Sequence, residues 1–334
     1  MNKIVLSRVK DAIRSNLEEL AYKILTSQGS YLSKRDLSSV ITYMRKRVKR
    51  GPRVVRGYLS KVMLYIYYES GYDFNPAATS NRPIRHASCL GLYPIVSVLL
   101  DDKRVDPSAI QNGAIISACQ NGHVEVVRLL LASNRLDFDR YVNYALMKAC
   151  GYGRTDVVRL LLKDDRIDPA FNNSVALRVI CGDGLYEYSL ATEEASIDIV
   201  RILLEDGRAD PGADRNASII GACLYGLIGI VRILLQDERV DPCAQDNNAI
   251  RFASSIGQVE AVRILMDDGR ADPSDLNNYA LERACSNGYI EVVKLLLTDP
   301  RVANGDLSNA LRGAYEEEYV EIIRLIMGVR SNTV

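Results

Sequence analysis

Hydrophobic residues recur along most of the chain at helical spacing, and the pattern itself repeats. Clear examples are Val124-Glu125-Val126-Val127-Arg128-Leu129-Leu130-Leu131 and Ile290-Glu291-Val292-Val293-Lys294-Leu295-Leu296-Leu297. Each puts apolar side chains on one face of a helix and charges on the other. Ahead of each lies a shorter run built on a small pair, Ala118-Cys119 or Ala284-Cys285, and a glycine follows three residues after the cysteine, at Gly122 or Gly288. A glycine there suits the left-handed end of a short helix. The spacing predicts a unit of helix, glycine turn, longer helix and tight loop.

The loop sets the period. Asn75-Pro76, Asp106-Pro107, Asp137-Phe138, Asp168-Pro169, Asp210-Pro211, Asp241-Pro242 and Asp272-Pro273 follow at steps of 31, 31, 31, 42, 31 and 31 residues. The unit recurs about eight times over residues 76–330. The single long step inserts 11 residues at about 185–195, between the helices of the fourth unit, and brings Tyr186, Tyr188, Glu193 and Glu194. A recognition loop and a simple helix extension both fit this insertion. An asparagine precedes an Ala-Ile or Ala-Leu pair at Asn112, Asn143, Asn247 and Asn278, where it is expected to cap the first helix. Neither helix can bury its apolar side alone. Units must therefore stack, small residues of one helix against Leu and Val of its neighbours, which predicts an all-α helical repeat solenoid.

The run Asn121-Gly122-His123-Val124-Glu125-Val126-Val127-Arg128-Leu129-Leu130-Leu131 resembles the second half of an ankyrin repeat, and Leu203-Leu204-Glu205-Asp206-Gly207-Arg208-Ala209-Asp210 resembles that family's connection between repeats. The resemblance implies a curved stack that binds other proteins and usually performs no catalysis. The unit is two residues shorter than the family's 33. The family's Thr-Pro-Leu-His start is absent, and an Asn-x-Ala-Ile/Leu form stands in its place. A turn tighter than a full β-hairpin finger is therefore expected. The shortened form with Arg-x-Asp-Pro loops is similar to repeats of large DNA viruses and protists. In the family, partners meet the concave face formed by first helices and adjoining turns. Carried over by position, that face holds Asn121, Tyr144, Tyr152, Val175, Asp183, Tyr225, Asn248, Ile256, Tyr279 and Asn287. Tyrosine is enriched at interface hot spots.

Charge divides the chain. Residues 1–74 hold 15 Lys/Arg and 6 Asp/Glu, a net of +9, and the rest carries −9, so the total is zero. Residues 1–52 read as a basic helical segment, with Leu6, Val9, Ile13, Leu17, Leu20 and Ile24 in one helix and Leu37, Val40, Ile41, Met44 and Val48 in a second. Residues 53–75 read as a capping helix, with Val55, Leu59, Val62 and Ile66 closing the apolar end of the stack. Between them lies a basic patch of Arg45, Lys46, Arg47, Lys49, Arg50, Arg53 and Arg56. It reads as a solvated face that pairs with the acidic repeats, or as a nuclear-import or phosphate-contacting patch. At the other end, Glu316-Glu317-Glu318 replaces the turn glycine and suggests a polar terminal cap or an acidic docking site.

Candidate chemistry is sparse. Cys119, Cys150, Cys181, Cys223 and Cys285 share one small site in successive units, where they read as buried apolar residues. Packed helices lie roughly 8–10 Å apart, too far for a disulfide between neighbouring repeats. No CxxC pair occurs, and His86 and His123 fall at non-equivalent repeat positions with no evident partner in the sequence. No phosphate-binding loop, HExxH or nucleophile elbow is present. No catalytic residue, metal site or cofactor is expected. No secretory signal or membrane-spanning run is found. These features predict a monomeric cytoplasmic protein, with the nucleus as alternative, acting as a protein–protein interaction scaffold or adaptor. A nucleic-acid-associated protein using residues 45–56 and a ubiquitin-ligase substrate adaptor docking through residues 1–75 are the alternatives.

Overall fold

The computed structural model describes residues 7, 8, 11, 77–138, 141–182 and 191–332. The chain divides into two units, Met1–Ala145 and Leu146–Val334. The basic patch and the helices expected over residues 1–75 lie outside the described residues, apart from positions 7, 8 and 11. Among the described residues the secondary structure is helical, with no strand.

In the first unit, α1 (Ala78–Cys89) and α2 (Tyr93–Asp101) form one antiparallel pair, and α3 (Ala109–Asn121) and α4 (Val124–Ala132) form the next. Inner helix α1 packs on inner helix α3, and outer helix α2 on outer helix α4. The unit boundary falls within α5 (Asn143–Gly151). The second unit holds outer helix α6 (Thr155–Leu162), then inner α7 (Phe171–Ile180) with outer α8 (Glu193–Asp206). Inner α9 (Ala213–Leu224) and outer α10 (Ile228–Leu235) follow, then α11 (Ala244–Ser255) and α12 (Val259–Asp268), and α13 (Asp275–Ser286) and α14 (Ile290–Leu296). A one-turn helix, α15 (Pro300–Ala303), leads to the last pair, α16 (Ser308–Glu316) and α17 (Val320–Asn332). Inner helices contact inner helices in sequence, α7 to α9, α11, α13 and α16, and outer helices likewise contact outer helices.

The core follows the repeat. Each outer helix from α2 to α14 buries a Val and a Leu three residues later, as in Val127/Leu130, Val231/Leu234 and Val262/Leu265. The inner helices from α3 to α13 each bury a small-then-branched pair, such as Ala114-Ile115, Ala249-Ile250 and Ala280-Leu281. The cysteine site is fully enclosed from α1 to α13, with Ser88 and Ser254 filling it in two repeats; in the last pair Tyr315 stands there and is exposed. Turn glycines adopt the left-handed conformation expected of them, Gly122 at φ +77° and Gly288 at φ +75°. At Gly288 there is also no room: an added Cβ would lie 2.8 Å from the Tyr319 ring of the next repeat.

The asparagines depart from expectation. Asn112, Asn216, Asn247 and Asn278 make no N-cap; they sit at the end of a short left-handed turn that opens the inner helix. In α11 that turn is Gln245, Asp246 and Asn247, with φ near +57° throughout. The carboxamide is turned across the stack instead of down its own helix. Backbone N–H groups of Asp106, Asp241 and Asp272 donate to Oδ1 of Asn81, Asn216 and Asn247, at 2.8, 2.8 and 2.7 Å. Ser174 plays the same part for Asp210 at 2.8 Å. In return, Asn112 Nδ2 donates to Asp137 O at 2.5 Å. Each bond joins one inner helix to the loop that begins the following repeat.

A second device holds the same loop. The arginine of each Asp-x-Arg-x-Asp-Pro stretch pairs with the aspartate two residues earlier, as in Arg239–Asp237 at 2.6 Å and Arg166–Asp164 at 2.6 Å. Its guanidinium also reaches back to carbonyls of the preceding repeat. Arg270 donates to Leu235 O and Val240 O, both at 2.9 Å, and Arg208 donates to Leu162 O at 2.7 Å; Arg135, in the variant stretch Ser133-Asn134-Arg135-Leu136-Asp137-Phe138, donates to Leu100 O at 2.6 Å and to Val105 O. The residue between Arg and Asp, Val105, Ile167, Ala209, Val240 or Ala271, is buried. The second aspartate caps the coming turn, its carboxylate accepting from the N–H two residues on, as Asp241 does from Cys243 at 2.9 Å. Loop closure by these side-chain bonds is why the connection needs no β-hairpin finger, in line with the tighter turn expected from the shortened unit.

Two predictions follow from these clamps. Asn247→Ala orphans the Asp272 N–H and removes the bond from Asn247 Nδ2 to Asp275; it is expected to lower unfolding free energy by about 1–3 kcal/mol, read from the midpoint of urea denaturation. The second concerns acid. Asp102, Asp164, Asp237 and Asp299 are held below the usual carboxylate range, first by the side-chain hydrogen bonds of Arg104, Arg166, Arg239 and Arg301. A carboxyl depressed in the folded state contributes stability above the unfolded value of about 3.9 and loses it as pH falls through the lower folded value. Stability is therefore expected to fall on acidification below about pH 4, with a shallower fall in Asp237→Asn, measured by denaturation at a series of pH values.

Candidate functional site

The inner helices carry the candidate face. In the first unit, Asn121 is half-buried, its Nδ2 donating to Ser117 O at 2.8 Å. Tyr144 is half-buried and stacks on Tyr141 with ring centroids 6.2 Å apart. His123 has a structural partner that was not evident in the sequence. Its ring covers Gly91, and Nε2 lies 3.1 Å from Cys89 O.

The second unit holds the more open surface. On α11, Asn248, Phe252 and Ile256 succeed one another at four-residue spacing, one helical turn apart. On α13 the same positions are Tyr279, Arg283 and Asn287, and on α9 they are Ala217, Gly221 and Tyr225. Tyr225, Phe252, Ile256 and Tyr279 are exposed, with Phe252 at 40%. Because α9, α11 and α13 pack side by side, these four fall on adjacent helices of one face. Arg251 ties two of the helices, its guanidinium 5.5 Å from the Tyr279 ring centroid while Nη2 donates to Gln245 O at 2.9 Å. Asn287 is exposed but engaged, its Nδ2 donating to Ser255 O at 2.7 Å. Tyr152 and Asn248 are half-buried.

Val175 is 1% exposed, so it is not a surface residue. Every residue from Ser174 to Cys181 is buried, because glycines on both flanking inner helices let them close on α7. An added Cβ at Gly151 would meet Val179 Cγ1 at 3.2 Å, and one at Gly221 would meet Cys181 O at 2.8 Å. The same enclosure buries the Arg178 guanidinium, which pairs with Asp214 of the next inner helix. Asp183 lies outside the described residues, as do 185–190 of the insertion. The remainder of the insertion lengthens α8. Thr192 caps it, its Oγ1 accepting from Ala195 N at 3.3 Å, and the helix starts four residues before the point equivalent to Val124. Phe252 was missed by the sequence reading, although it lies one helical turn from both Asn248 and Ile256.

The enclosed thiols offer no chemistry. Burial pushes Cys223 and Cys285 up to about 12 and Cys150 higher. Among the described residues there is no group of His, Cys, Asp and Glu that could hold a metal ion, and no helix long and apolar enough to cross a membrane.

Comparison with known proteins bears on the same residues. A family profile for ankyrin repeats, in three copies, matches residues 84–173 and 219–306, more than half of the chain. Among solved structures, the human ASB11 ankyrin repeat domain is similar at 18% identity and a TM-score of 0.43, over 59% of this chain and 95% of that one. No curated protein matches.

The thiol environment gives a direct test. In native protein at mildly alkaline pH, iodoacetamide is expected to leave Cys150, Cys223 and Cys285 unmodified, and to label them fully after denaturation, as read by peptide mass spectrometry. Rapid labelling of any of the three in the folded protein would contradict the enclosed packing.

Proposed function

The chain belongs to the ankyrin-repeat family, whose repeats generally mediate protein–protein interaction, and on that premise we propose that it is a non-enzymatic scaffold or adaptor that binds a partner protein through the inner-helix face of its second unit. The observation that carries this reading is the group of exposed apolar side chains on three adjacent inner helices, Tyr225, Phe252, Ile256 and Tyr279. Elsewhere on these helices Ile219, Ile250 and Leu281 are buried, while Leu276, in the left-handed turn that opens α13, is exposed. Exposed apolar residues gathered on one face mark interaction sites more often than scattered ones do. Aromatic side chains on such a face supply large contact area at low entropic cost. Asn248 stands on the face as a polar neighbour, Tyr152 is a further candidate at the end of α5, and Asn121 and Tyr144 are the corresponding candidates in the first unit.

The ubiquitin-ligase adaptor and nucleic-acid readings draw on residues 1–75 and gain nothing from this face. The family is typically non-enzymatic, and the residues described here offer no constellation of nucleophile, base and oxyanion donors.

The test is capture of partners by the tagged full chain, compared with a Tyr225→Ser/Phe252→Ser/Tyr279→Ser variant and an outer-helix control, Arg263→Ser. The triple variant is expected to lose specific partners by about tenfold or more, as hot-spot truncation does, with its thermal melt unchanged. An unchanged partner set in the triple variant would overturn the assignment of this face.

A further inference from the structure

The last helix pair of the second unit ends the described stack with side chains that belong to a repeat interior. Within the stack, Leu281 and Cys285 of α13 and Val293 of α14 are fully buried. Their counterparts in the last pair, counted from the Ala-Leu pair and the turn, are Leu311, Tyr315 and Ile323. Leu311 and Ile323 are half-exposed and Tyr315 is 54% exposed. Met327, the counterpart of half-buried Leu297, is 47% exposed. Tyr315 stands where interior repeats carry Cys or Ser. A tyrosine is too large for the closely packed site that Cys or Ser fills inside the stack.

The charges on this face are not explained by local helix stability. Arg312 and Glu316 lie one turn apart on α16, Nε to Oε1 at 4.0 Å, and both are about two-thirds exposed, at 64% and 67%. Arg preceding Glu is the weaker order for a pair within a helix. Glu316, followed by Glu317 and Glu318, also stands at the C-terminal end of α16, where the helix dipole disfavours negative charge. The arrangement is, however, self-complementary. If a second α16 packs antiparallel across a twofold axis, Arg312 of each copy faces Glu316 of the other, and the apolar side chains around Tyr315 and Met327 are covered together.

We propose that this end face is a homodimer interface, and that its occupant is the same face of a second copy. The twofold arrangement makes the contact close on itself, so it yields dimers and not open filaments. Burial of Leu311, Tyr315, Ile323 and Met327 supplies the attraction, and the crossed Arg312–Glu316 pairs fix the register. This departs from the monomer expected of the sequence, and it is independent of the partner-binding face on α9, α11 and α13.

Sedimentation velocity of the full chain from micromolar to submillimolar concentration is the test. A reversible monomer–dimer equilibrium is expected. Tyr315→Glu is expected to abolish it. Arg312→Glu and Glu316→Arg alone place like charges across the axis and are expected to weaken it by about tenfold. The double swap Arg312→Glu/Glu316→Arg restores opposite charges and is expected to recover most of the affinity. Thermal melts of all variants report whether the fold is intact, and these positions are exposed enough that the melts should hold. A chain that stays monomeric throughout the range overturns the proposal. So does a dimer unmoved by Tyr315→Glu, or a double swap no tighter than the single variants.

Discussion

The hydrogen bond from an inner-helix asparagine to the loop of the next repeat is the interaction on which the remaining geometry depends. A pair of short helices cannot bury its own apolar side, so the fold exists only if each pair is held in register on its neighbour. The Asn216–Asp241 and Asn247–Asp272 bonds set that register at a buried point. Their magnitude alone does not offset what they require. A left-handed turn of ordinary residues costs roughly 1–2 kcal/mol per residue, whereas a single bond of this kind contributes about 1 kcal/mol. The balance comes from the side chains that the register aligns. Burying one Ile or Leu, such as Ile250 or Leu281, stabilises by about 1.5–3 kcal/mol, and each repeat buries several. The asparagine therefore acts as a positioning group whose effect is realised through apolar packing.

The arginine clamp works on the same joint from the outside. The Asp237–Arg239 and Asp268–Arg270 pairs are partly solvent-exposed, and exposed ion pairs contribute little by themselves. What distinguishes them is that each aspartate aligns a guanidinium whose remaining N–H groups reach carbonyls of the previous repeat, in the loop at Ala209 and Val240 and, for Arg270, at the helix end at Leu235. The helix-end carbonyl would otherwise lack an intrahelical partner. One side chain thus closes a loop and caps a helix end, which lets the connection stay as short as the Asp-Pro turn.

Most of the periodic design was legible in the sequence, because it is written in neighbouring residues. Glycine at Gly122 and Gly288, the small site at Cys119 and Cys285, and the Val/Leu spacing of the outer helices all follow from rules spanning a few residues. The asparagine's role was not legible. A polar residue ahead of an apolar helix satisfies the rules for an N-cap, and its actual partner lies 25 residues away, at Asp137 for Asn112 and Asp272 for Asn247. The reach of Arg270 to Leu235 spans 35 residues and was equally hidden. Val175 failed for a related reason. Position within its own helix pointed outward, but Gly151 and Gly221 on the flanking helices allowed the neighbours to close on it. Burial here is a property of three helices, and no single helical pattern contains it.

The same logic separates what the stack demands from what it leaves open. Columns that face a neighbouring repeat are restricted to a narrow set of shapes: Ala, Cys or Ser on inner helices, Val and Leu on outer ones. Columns on the inner-helix face of α11 and α13 are freer of that restriction, and there the residues diverge, Asn248 and Tyr279 at one position, Phe252 and Arg283 at the next. Recognition has to be encoded in these columns, since a change there leaves the register untouched. Tyr315 extends the argument to a restricted column. A large aromatic residue in the cysteine site breaks the packing rule at the last helix pair of the described stack. Its surroundings, Leu311, Ile323 and Met327, keep the apolar character of an interior while Arg312 and Glu316 add charges of opposite sign. A surface built from interior positions plus a self-complementary charge pair is suited to meeting another surface of its own kind.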